Sequence, residues 1–195
     1  KDAEYFDREK LEKLFDSDDP VSLMFQLDLW TGLRRGELLA LSWDNIDLDR
    51  QIIHVCQTLV HRKAGDVIVK TTKSRNDRLI PIHKKADHIL RRIRDETCAE
   101  GLLFIQPDSD KVISLRQYNR IYRSYYYSQK TKYPDLIYLS PHKLRHSYAT
   151  YLIQSGADIE TLRALLGHVD IMTTQRYVHS NLQQMQRAVA KLRFE

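Results

Sequence analysis

The first part of the chain carries apolar residues with the period of an α-helix. Asp7 stands where an N-cap is expected, and apolar positions recur at helical spacing over 7–15. A proline next to Asp19 opens a second such stretch, 19–30, at the position where a helix tolerates proline best. A third stretch covers 33–41. The pattern therefore predicts three short helices in the first 41 residues.

Between 46 and 82 the pattern changes to short runs of β-branched residues, which are typical of strands. These runs cover 52–55, 58–60, 67–69 and 78–81. Gly65-Asp66 is predicted to form a turn, and the polar segment 71–77 is predicted to form a hairpin tip. We expect a small antiparallel sheet at this place in the chain.

Helical spacing returns after Pro81. The predicted helices cover 83–98, 114–130, 141–155, 158–166, 170–177 and 181–192, with a short apolar piece at 102–105. The tyrosine-rich helix 114–130 is interpreted as core with solvated hydroxyls rather than as a surface that stacks on nucleobases. The sequence predicts one mainly α domain over 1–195 with a small antiparallel β-sheet, an α+β fold.

Composition limits the class of protein. The 195 residues are enough to bury a core, and the hydrophobic content of 42% is ordinary for a globular protein. No apolar run approaches the length of a membrane span, and the acidic start does not have the plan of a signal peptide. Cys56 and Cys98 are too few for a disulfide framework or a zinc knuckle. We expect reduced, buried thiols in a cytoplasmic protein, and an excised piece of a longer chain because no initiator Met is present.

The distribution of charge points to a polyanionic partner. The formal net charge is +5, yet residues 1–50 hold 7 Lys and Arg against 13 Asp and Glu. Residues 51–195 hold 24 basic residues against 13 acidic ones. A cationic majority of this kind suits phosphate, although a solvated basic surface without a partner would give the same count.

Candidate chemistry is concentrated in 140–179. His142 and Arg145 are three positions apart, so they share a helix face, and His168 and Tyr177 are nine apart. A phenol near guanidinium and imidazole groups suits nucleophilic attack on a phosphodiester. The pair His142 and His146 has the spacing of zinc ligands, but no Cys or carboxylate completes such a site.

Three segments together resemble the signature boxes of the tyrosine recombinases, the phage-integrase family. They are TGLRRGELLAL at 31–41, PHKLRHSYAT at 141–150 and LLGHVDIMTTQRYVH at 165–179. Their order and separations resemble those of the family's catalytic domain. The resemblance implies that this domain fills the chain and that the family's N-terminal core-binding domain lies outside it.

The same resemblance assigns roles residue by residue. The catalytic residues it implies are Arg34, Lys73, His142, Arg145, His168 and the nucleophile Tyr177, with Glu37 supporting an arginine. Lys70 lies three residues from Lys73 and is the alternative for the catalytic lysine. Lys70, Arg75 and Lys143 are further candidates for contacts with DNA.

Each of these groups has a chemical reason to be present. Free tyrosine has a pKa near 10, so it needs positive surroundings and a proton acceptor, which His142 can supply. Two guanidinium forks match the negative charge that gathers on the attacked phosphate better than ammonium groups would. Lys73 can protonate the leaving 5′ oxygen, and His168 can donate to a phosphate oxygen. No metal, ATP or other cofactor is expected.

The resemblance also sets expectations about function and partners. The expected activity is site-specific cleavage and rejoining of double-stranded DNA, for integration and excision of a phage or mobile element. A Xer-like resolvase of replicon dimers and a catalytically inactive DNA-binding relative are the alternatives. We expect a homotetramer on two DNA sites, a monomer without DNA, and accessory DNA-bending or directionality proteins. The apolar side of 181–192 is the candidate for docking on a neighbouring subunit. The expected location is the cytosol or nucleoid of a bacterium, and the gene is expected to belong to the bacterium or to a phage.

Overall fold

The computed structural model describes residues 5–70, 77–97, 100–106, 109, 111–167, 185–187 and 189–193. In chain order these form α1 (Arg8–Leu14), α2 (Pro20–Thr31), α3 (Arg35–Leu39), a 3-10 turn (Trp43–Asn45), β1 (Ile46–Asp47), β2 (Ile52–Val55), β3 (Gln57–Arg62), β4 (Gly65–Lys70), β5 (Arg78–Pro81), α4 (Lys84–Glu96), α5 (Leu115–Lys132), α6 (His142–Gln154) and α7 (Ile159–Leu166). The predicted class, mainly α with a small antiparallel sheet, is confirmed.

Helix α2 forms the centre of the core. Asp19 caps it by accepting hydrogen bonds from the backbone N–H groups of Val21 and Ser22, both at 3.0 Å. Almost every side chain from Ser22 to Thr31 is buried, so the helix is enclosed on all sides rather than amphipathic. Helices α4, α5 and α6 pack around it. This arrangement fixes the end of α2, from which the first signature segment begins.

The tyrosines of α5 belong to the core, as predicted, but the prediction that their hydroxyls are solvated is wrong for the four buried members. Tyr118, Tyr122, Tyr125 and Tyr126 are all buried. Each hydroxyl donates a hydrogen bond inside the protein, and that of Tyr122 reaches the carbonyl oxygen of Leu139 at 2.9 Å. Partnered hydroxyls let these large rings be buried without leaving unsatisfied polar groups. Tyr127 is the half-exposed member of the cluster.

The strands form two separate antiparallel units. β2 pairs with β1 on one side and with β5 on the other, so that Ile53 faces Ile80. β3 and β4 form a two-stranded ribbon. The predicted turn at Gly65-Asp66 is wrong, because Arg62 faces Gly65 and the loop consists of residues 63 and 64. Asp66 stays in β4, where its carboxylate contacts the His61 ring at 2.8 Å.

The predicted hairpin around 71–77 is wrong in its pairing. β4 pairs with β3 and β5 pairs with β2, so the strands on either side of this segment are not partners of each other. Runs of β-branched residues indicate strands but do not indicate which strand lies beside which. Residues 71–76 lie outside the described part of the chain.

Helix α7 leads to the last signature segment. Asp158 caps it, as predicted, by accepting a hydrogen bond from the Thr161 backbone N–H at 2.7 Å. Gly167 ends it with φ +63°. The helix predicted at 170–177 lies outside the described residues.

The described part of the predicted terminal helix packs within the chain itself. Met185, Val189 and Leu192 are 7%, 1% and 3% exposed. Gln186 and Val189 lie beside the junction of β5 and α4. Docking on a neighbour stays a prediction, and it would first require these apolar side chains to leave the core.

Candidate active site

A basic cleft of about 920 Å³ opens between the start of α3, strand β3, helix α5 and the start of α6. Its basic lining residues are Arg34, Arg35, Arg123, His142 and Arg145. The structure thus brings together residues more than one hundred positions apart. Several cations around one open cleft form a site suited to an anion such as phosphate.

Glu37 is the acidic centre beside this cleft. Its side chain is 3% exposed and accepts hydrogen bonds from two guanidiniums, those of Arg34 and Arg78. Burial acts to raise the pKa of Glu37, but the hydrogen bonds and charge of Arg78, together with the donors of Arg34, outweigh it and hold the pKa at about 2. The predicted bracing of Arg34 by Glu37 agrees with these contacts.

Arg34 is held at three points and still reaches the cleft. Its backbone N–H donates to Glu37 Oε2 at 2.8 Å, and its Nη1 donates to Glu37 Oε1 at 2.8 Å. Its Nη2 donates to the carbonyl oxygen of Gly167 at 2.5 Å. The side chain remains 37% exposed. A guanidinium fixed in this way presents its outer edge to a ligand without having to find its position first.

Arg145 joins the ends of two helices. It projects from α6, donating from Nη1 to the carbonyl oxygen of Gly32 and from Nη2 to that of Leu166 at 2.6 Å. Burial, and then the positive charge of Arg34, lower the pKa of Arg145 to about 10. The group therefore stays charged at neutral pH. Gly32 ends α2 at φ +60°, and a Cβ there would lie 2.2 Å from the Tyr148 ring.

Of the remaining described candidates, His142 lines the cleft and the two lysines do not. His142 is the first residue of α6, is exposed, and lines the same cleft as Arg34. Lys143 follows it and is partly buried, whereas Lys70 is exposed at the end of β4. The structure places His142 with the two arginines and brings neither lysine into the lining of the cleft.

Asp28 is a site residue that the sequence reading missed. It lies on α2, is 3% exposed and lines the cleft. Its Oδ2 accepts a hydrogen bond from the Tyr118 hydroxyl, while Oδ1 has no hydrogen-bond partner among the described residues. Burial raises the pKa of Asp28 to about 7, although the Tyr118 bond and the charge of Arg145 act to lower it. The available signal in the sequence was that Asp28 is the single acidic residue within the otherwise largely apolar helix α2.

Arg78 is the second residue that was missed. It begins β5, is 8% exposed, and makes a two-pronged bond to Glu37. Its only mark in the sequence is that an arginine opens a strand of otherwise apolar residues. That pattern does not predict that its partner is Glu37, which lies 41 positions away.

Four predicted site residues lie outside the described part of the chain: Lys73, Arg75, His168 and Tyr177. Cys98 lies there as well, while Cys56 is half-buried and donates to Asn45 Oδ1 at 3.1 Å. Across the described ranges, no group of three or more His, Cys, Asp or Glu residues is arranged to hold a metal ion. Within the same ranges, no helix is both long and apolar enough to cross a bilayer.

The chain is similar in sequence to known tyrosine recombinases. Tyrosine recombinase XerA of Thermococcus kodakarensis is 31% identical over 189 residues, which cover 94% of this chain and 61% of that protein. Tyrosine recombinase XerD of Haemophilus ducreyi is 32% identical over 170 residues, covering 83% of this chain and 52% of XerD. The chain thus spans about half to three fifths of the length of these relatives.

Solved structures share the fold. The Tn1549 transposon integrase in complex with circular intermediate DNA superimposes with a TM-score of 0.73 at 17% identity, covering 91% of this chain and 64% of that one. The crystal structure of XerA recombinase gives a TM-score of 0.65 at 25% identity, covering 95% and 64%. A model of the phage integrase family matches residues 4–184. The chain therefore belongs to the phage integrase family, and the relatives that it matches are tyrosine recombinases.

Proposed function

We propose that this chain is the catalytic part of a site-specific DNA recombinase. The observation that carries the proposal is the convergence of Arg34, Arg145 and His142 on one cleft. Both arginines are held by buried or backbone acceptors before any ligand binds. Fixed donors of this kind stabilise charge that develops on a phosphate during reaction.

The proposed reaction transfers a DNA strand to Tyr177. The phenol oxygen attacks the scissile phosphorus, the bond from phosphorus to the 5′ oxygen breaks, and a 3′-phosphotyrosyl link forms. His142 accepts the phenol proton and Lys73 protonates the leaving 5′ oxygen. A 5′-hydroxyl then attacks the link in the reverse sense and releases the tyrosine. The link conserves the energy of the phosphodiester, so ATP is not required.

The other predicted residues have proposed roles around this step. Arg34 and Arg145 bind the non-bridging oxygens, and His168 donates a hydrogen bond to one of them. Lys70, Arg75 and Lys143 contact the DNA backbone, for which their charge suits them. Lys70 is the alternative to Lys73 as the proton donor.

Two kinds of recombination use this chemistry. Integration and excision of a phage or mobile element is the role that the signature segments led us to expect. The curated relatives carry Xer names, and this observation favours the second candidate, a Xer-like resolvase of replicon dimers. The two roles differ in their DNA sites and share the active site.

The proposed partner is double-stranded DNA. A homotetramer on two sites would carry out the full exchange, with a monomer in the absence of DNA and with accessory DNA-bending or directionality proteins. The proposed place of action is the cytosol or nucleoid of a bacterium. Solved relatives of this fold have been captured on DNA, including XerH bound to its difH substrate.

A covalent adduct is the test of this proposal. The full-length parent protein is incubated in EDTA with nicked suicide duplexes tiled across the replicon that carries its gene, and the products are separated under denaturing conditions. We expect one duplex to yield a protein–DNA adduct and Tyr177→Phe to abolish it, because phenylalanine has no nucleophilic oxygen.

The matched control is Tyr127→Phe, which removes an exposed tyrosine hydroxyl elsewhere on the surface. This variant should form adduct at the parent rate. Adduct formation by Tyr177→Phe, or none by the parent protein on any duplex, would refute the proposed activity.

A further inference from the structure

Arg78 occupies a buried position beside the phosphate-binding arginines without lining the cleft. Its Nη1 and Nη2 donate to Glu37 Oε1 and Oε2 at 2.9 and 2.7 Å. Its Nε donates to the carbonyl oxygen of Leu165 at 2.8 Å. Three of its five N–H groups thus donate hydrogen bonds to acceptors on two different elements, α3 and the end of α7.

Glu37 bridges the guanidiniums of Arg78 and Arg34, so the position of Arg78 influences that of Arg34. One carboxylate oxygen, Oε1, accepts from Nη1 of both arginines, at 2.8 Å from Arg34 and 2.9 Å from Arg78. A carboxylate held by a fork on one side has little freedom to rotate. The rotamer of Arg34 at the cleft therefore depends on a guanidinium that does not itself reach the cleft.

The end of α7 is held by the same set of cations. Three consecutive carbonyl oxygens accept from three different arginines: Leu165 from Arg78, Leu166 from Arg145 and Gly167 from Arg34. The last carbonyls of a helix have no partner within it, and they form the negative end of its dipole. Cations placed there are stabilised, and the helix end is fixed in return.

Gly167 allows this close approach. A Cβ at this position would lie 2.8 Å from Nη1 and 3.0 Å from Cζ of Arg78, and φ is +63°. The guanidinium of Arg78 therefore packs directly on the backbone of the residue that precedes His168 in the sequence. A side chain at 167 would displace either the arginine or the helix end.

We propose that Arg78 is a positioning residue for strand cleavage, which sets Arg34 through Glu37 and the end of α7 through the Leu165 carbonyl. This role rests on the proposed recombinase activity. Arg78 itself touches no substrate. Its loss leaves both cleft arginines present but misplaced, and misplacement by about 1 Å can slow a reaction on the order of 100-fold.

Arg78→Lys is the test, because lysine keeps the charge and loses the fork. In the full-length protein we measure thermal unfolding, DNA affinity, and the single-turnover rate of adduct formation on the suicide duplex. We expect a folded variant whose Kd for DNA lies within about twofold of the parent and whose cleavage is about 100-fold slower. Arg91→Lys is the matched control, since Arg91 forms an exposed ion pair with Asp87 on α4. It should cleave at the parent rate.

A second substrate separates positioning from a purely structural role. A methylphosphonate at the scissile position removes the negative charge that the cleft arginines bind. If Arg78 acts through those arginines, Arg78→Lys should lose several-fold less rate on this duplex than on the phosphodiester. Equal losses on both substrates, or cleavage of the phosphodiester at the parent rate, would overturn the proposal.

Glu37→Gln provides a second variant if Arg78→Lys melts below the assay temperature, because it weakens the same bridge from the carboxylate side. The same selective loss is expected from it. Failure of both variants to fold would assign the bridge to stability alone and overturn the positioning role. An inactive parent protein would instead refute the recombinase activity, so the two failures are distinguishable.

Discussion

At the scale of single residues, Asp28 places a titratable carboxyl group in the cleft that Arg34 and Arg145 line. Its pKa is raised to about 7, so between about pH 4 and pH 7 the folded protein holds a proton that the unfolded chain releases. The free energy of unfolding therefore falls as the pH rises through this window and levels off above it.

Asp28→Asn should remove this dependence. Relative to the parent protein, the variant is expected to gain stability between pH 4 and pH 8, by a difference on the order of 4 kcal/mol. Urea denaturation at several pH values measures this difference.

Tyr118→Phe is the control for Asp28→Asn. It removes the hydroxyl that donates to Asp28 but keeps the carboxyl group. This control should retain the fall in stability with pH. A constant difference between Asp28→Asn and the parent over the whole range would show that Asp28 does not titrate there.

The sequence predicted part of the site and missed part of it for a physical reason. Arg34, Glu37, His142 and Arg145 were predicted because they lie in segments that resemble the signature boxes of the family. Arg78 was missed because its partner Glu37 comes from another element, and pairing across a fold leaves no local pattern. The sequence shows Asp28 as an acidic residue in an apolar helix. Only the structure shows that it is buried in the cleft that Arg145 also lines, which makes it a candidate site residue.

At the scale of elements, the end of α2 is the most constrained junction. Gly32 has φ +60°, and its carbonyl oxygen accepts from Arg145. Gly32→Ala should destabilise the protein by more than the 1–2 kcal/mol that a left-handed backbone costs an ordinary residue, since a Cβ would also overlap the Tyr148 ring. Chemical denaturation measures the loss.

Gly156→Ala is the control for this junction. Gly156 also has a positive φ, +86°, but apart from its chain neighbours no atom of the described residues lies within 4 Å of the added Cβ. Gly156→Ala should therefore lower the free energy of unfolding only by what the left-handed backbone costs. Equal losses in the two variants would mean that the Tyr148 ring moves aside without resistance.

Element types were easier to predict than element partners. Caps such as Asp19 and Asp158 mark helix starts because they bond backbone N–H groups within three positions. Strand pairing depends on contacts far apart in sequence, so the split into a ribbon and a three-stranded sheet left no sign in the pattern. The misplaced turn has a local cause instead: Gly65 and Asp66 both favour turns, yet the loop consists of the two residues before them.

At the scale of the whole molecule, the net charges of residues 1–50 and 51–195 gave a misleading picture of the surface. Residues 1–50 are acidic overall, yet Arg34 and Arg35 come from this part and line the basic cleft. Folding brings charged residues from distant parts of the sequence to the same surface, so a count along the sequence does not locate a basic surface. The acidic group Asp44, Asp47 and Asp49 lines a different pocket, together with Arg50 and Arg94.

The burial of the terminal segment predicts how the free chain behaves. Val189 is 1% exposed, so Val189→Ala should lower the free energy of unfolding by about 1–3 kcal/mol through lost packing. Gln186→Ala changes an exposed residue one turn away and should have little effect. Unfolding in urea without DNA compares them. An unchanged stability in Val189→Ala would indicate that the segment is not packed on its own chain and is free to dock elsewhere.

The three carbonyls at the end of α7 give the site a two-way thermodynamic coupling. Arg34 and Arg145 line the cleft and bond these carbonyls at the same time, so under the proposed function a bound phosphate and the helix end would share the same cations. Coupling of this kind is reciprocal: the factor by which the helix end changes phosphate affinity is the factor by which phosphate changes the equilibrium of the helix end. If the cleft binds DNA phosphate as proposed, the equilibrium of the helix end at Gly167 would depend on whether DNA is bound.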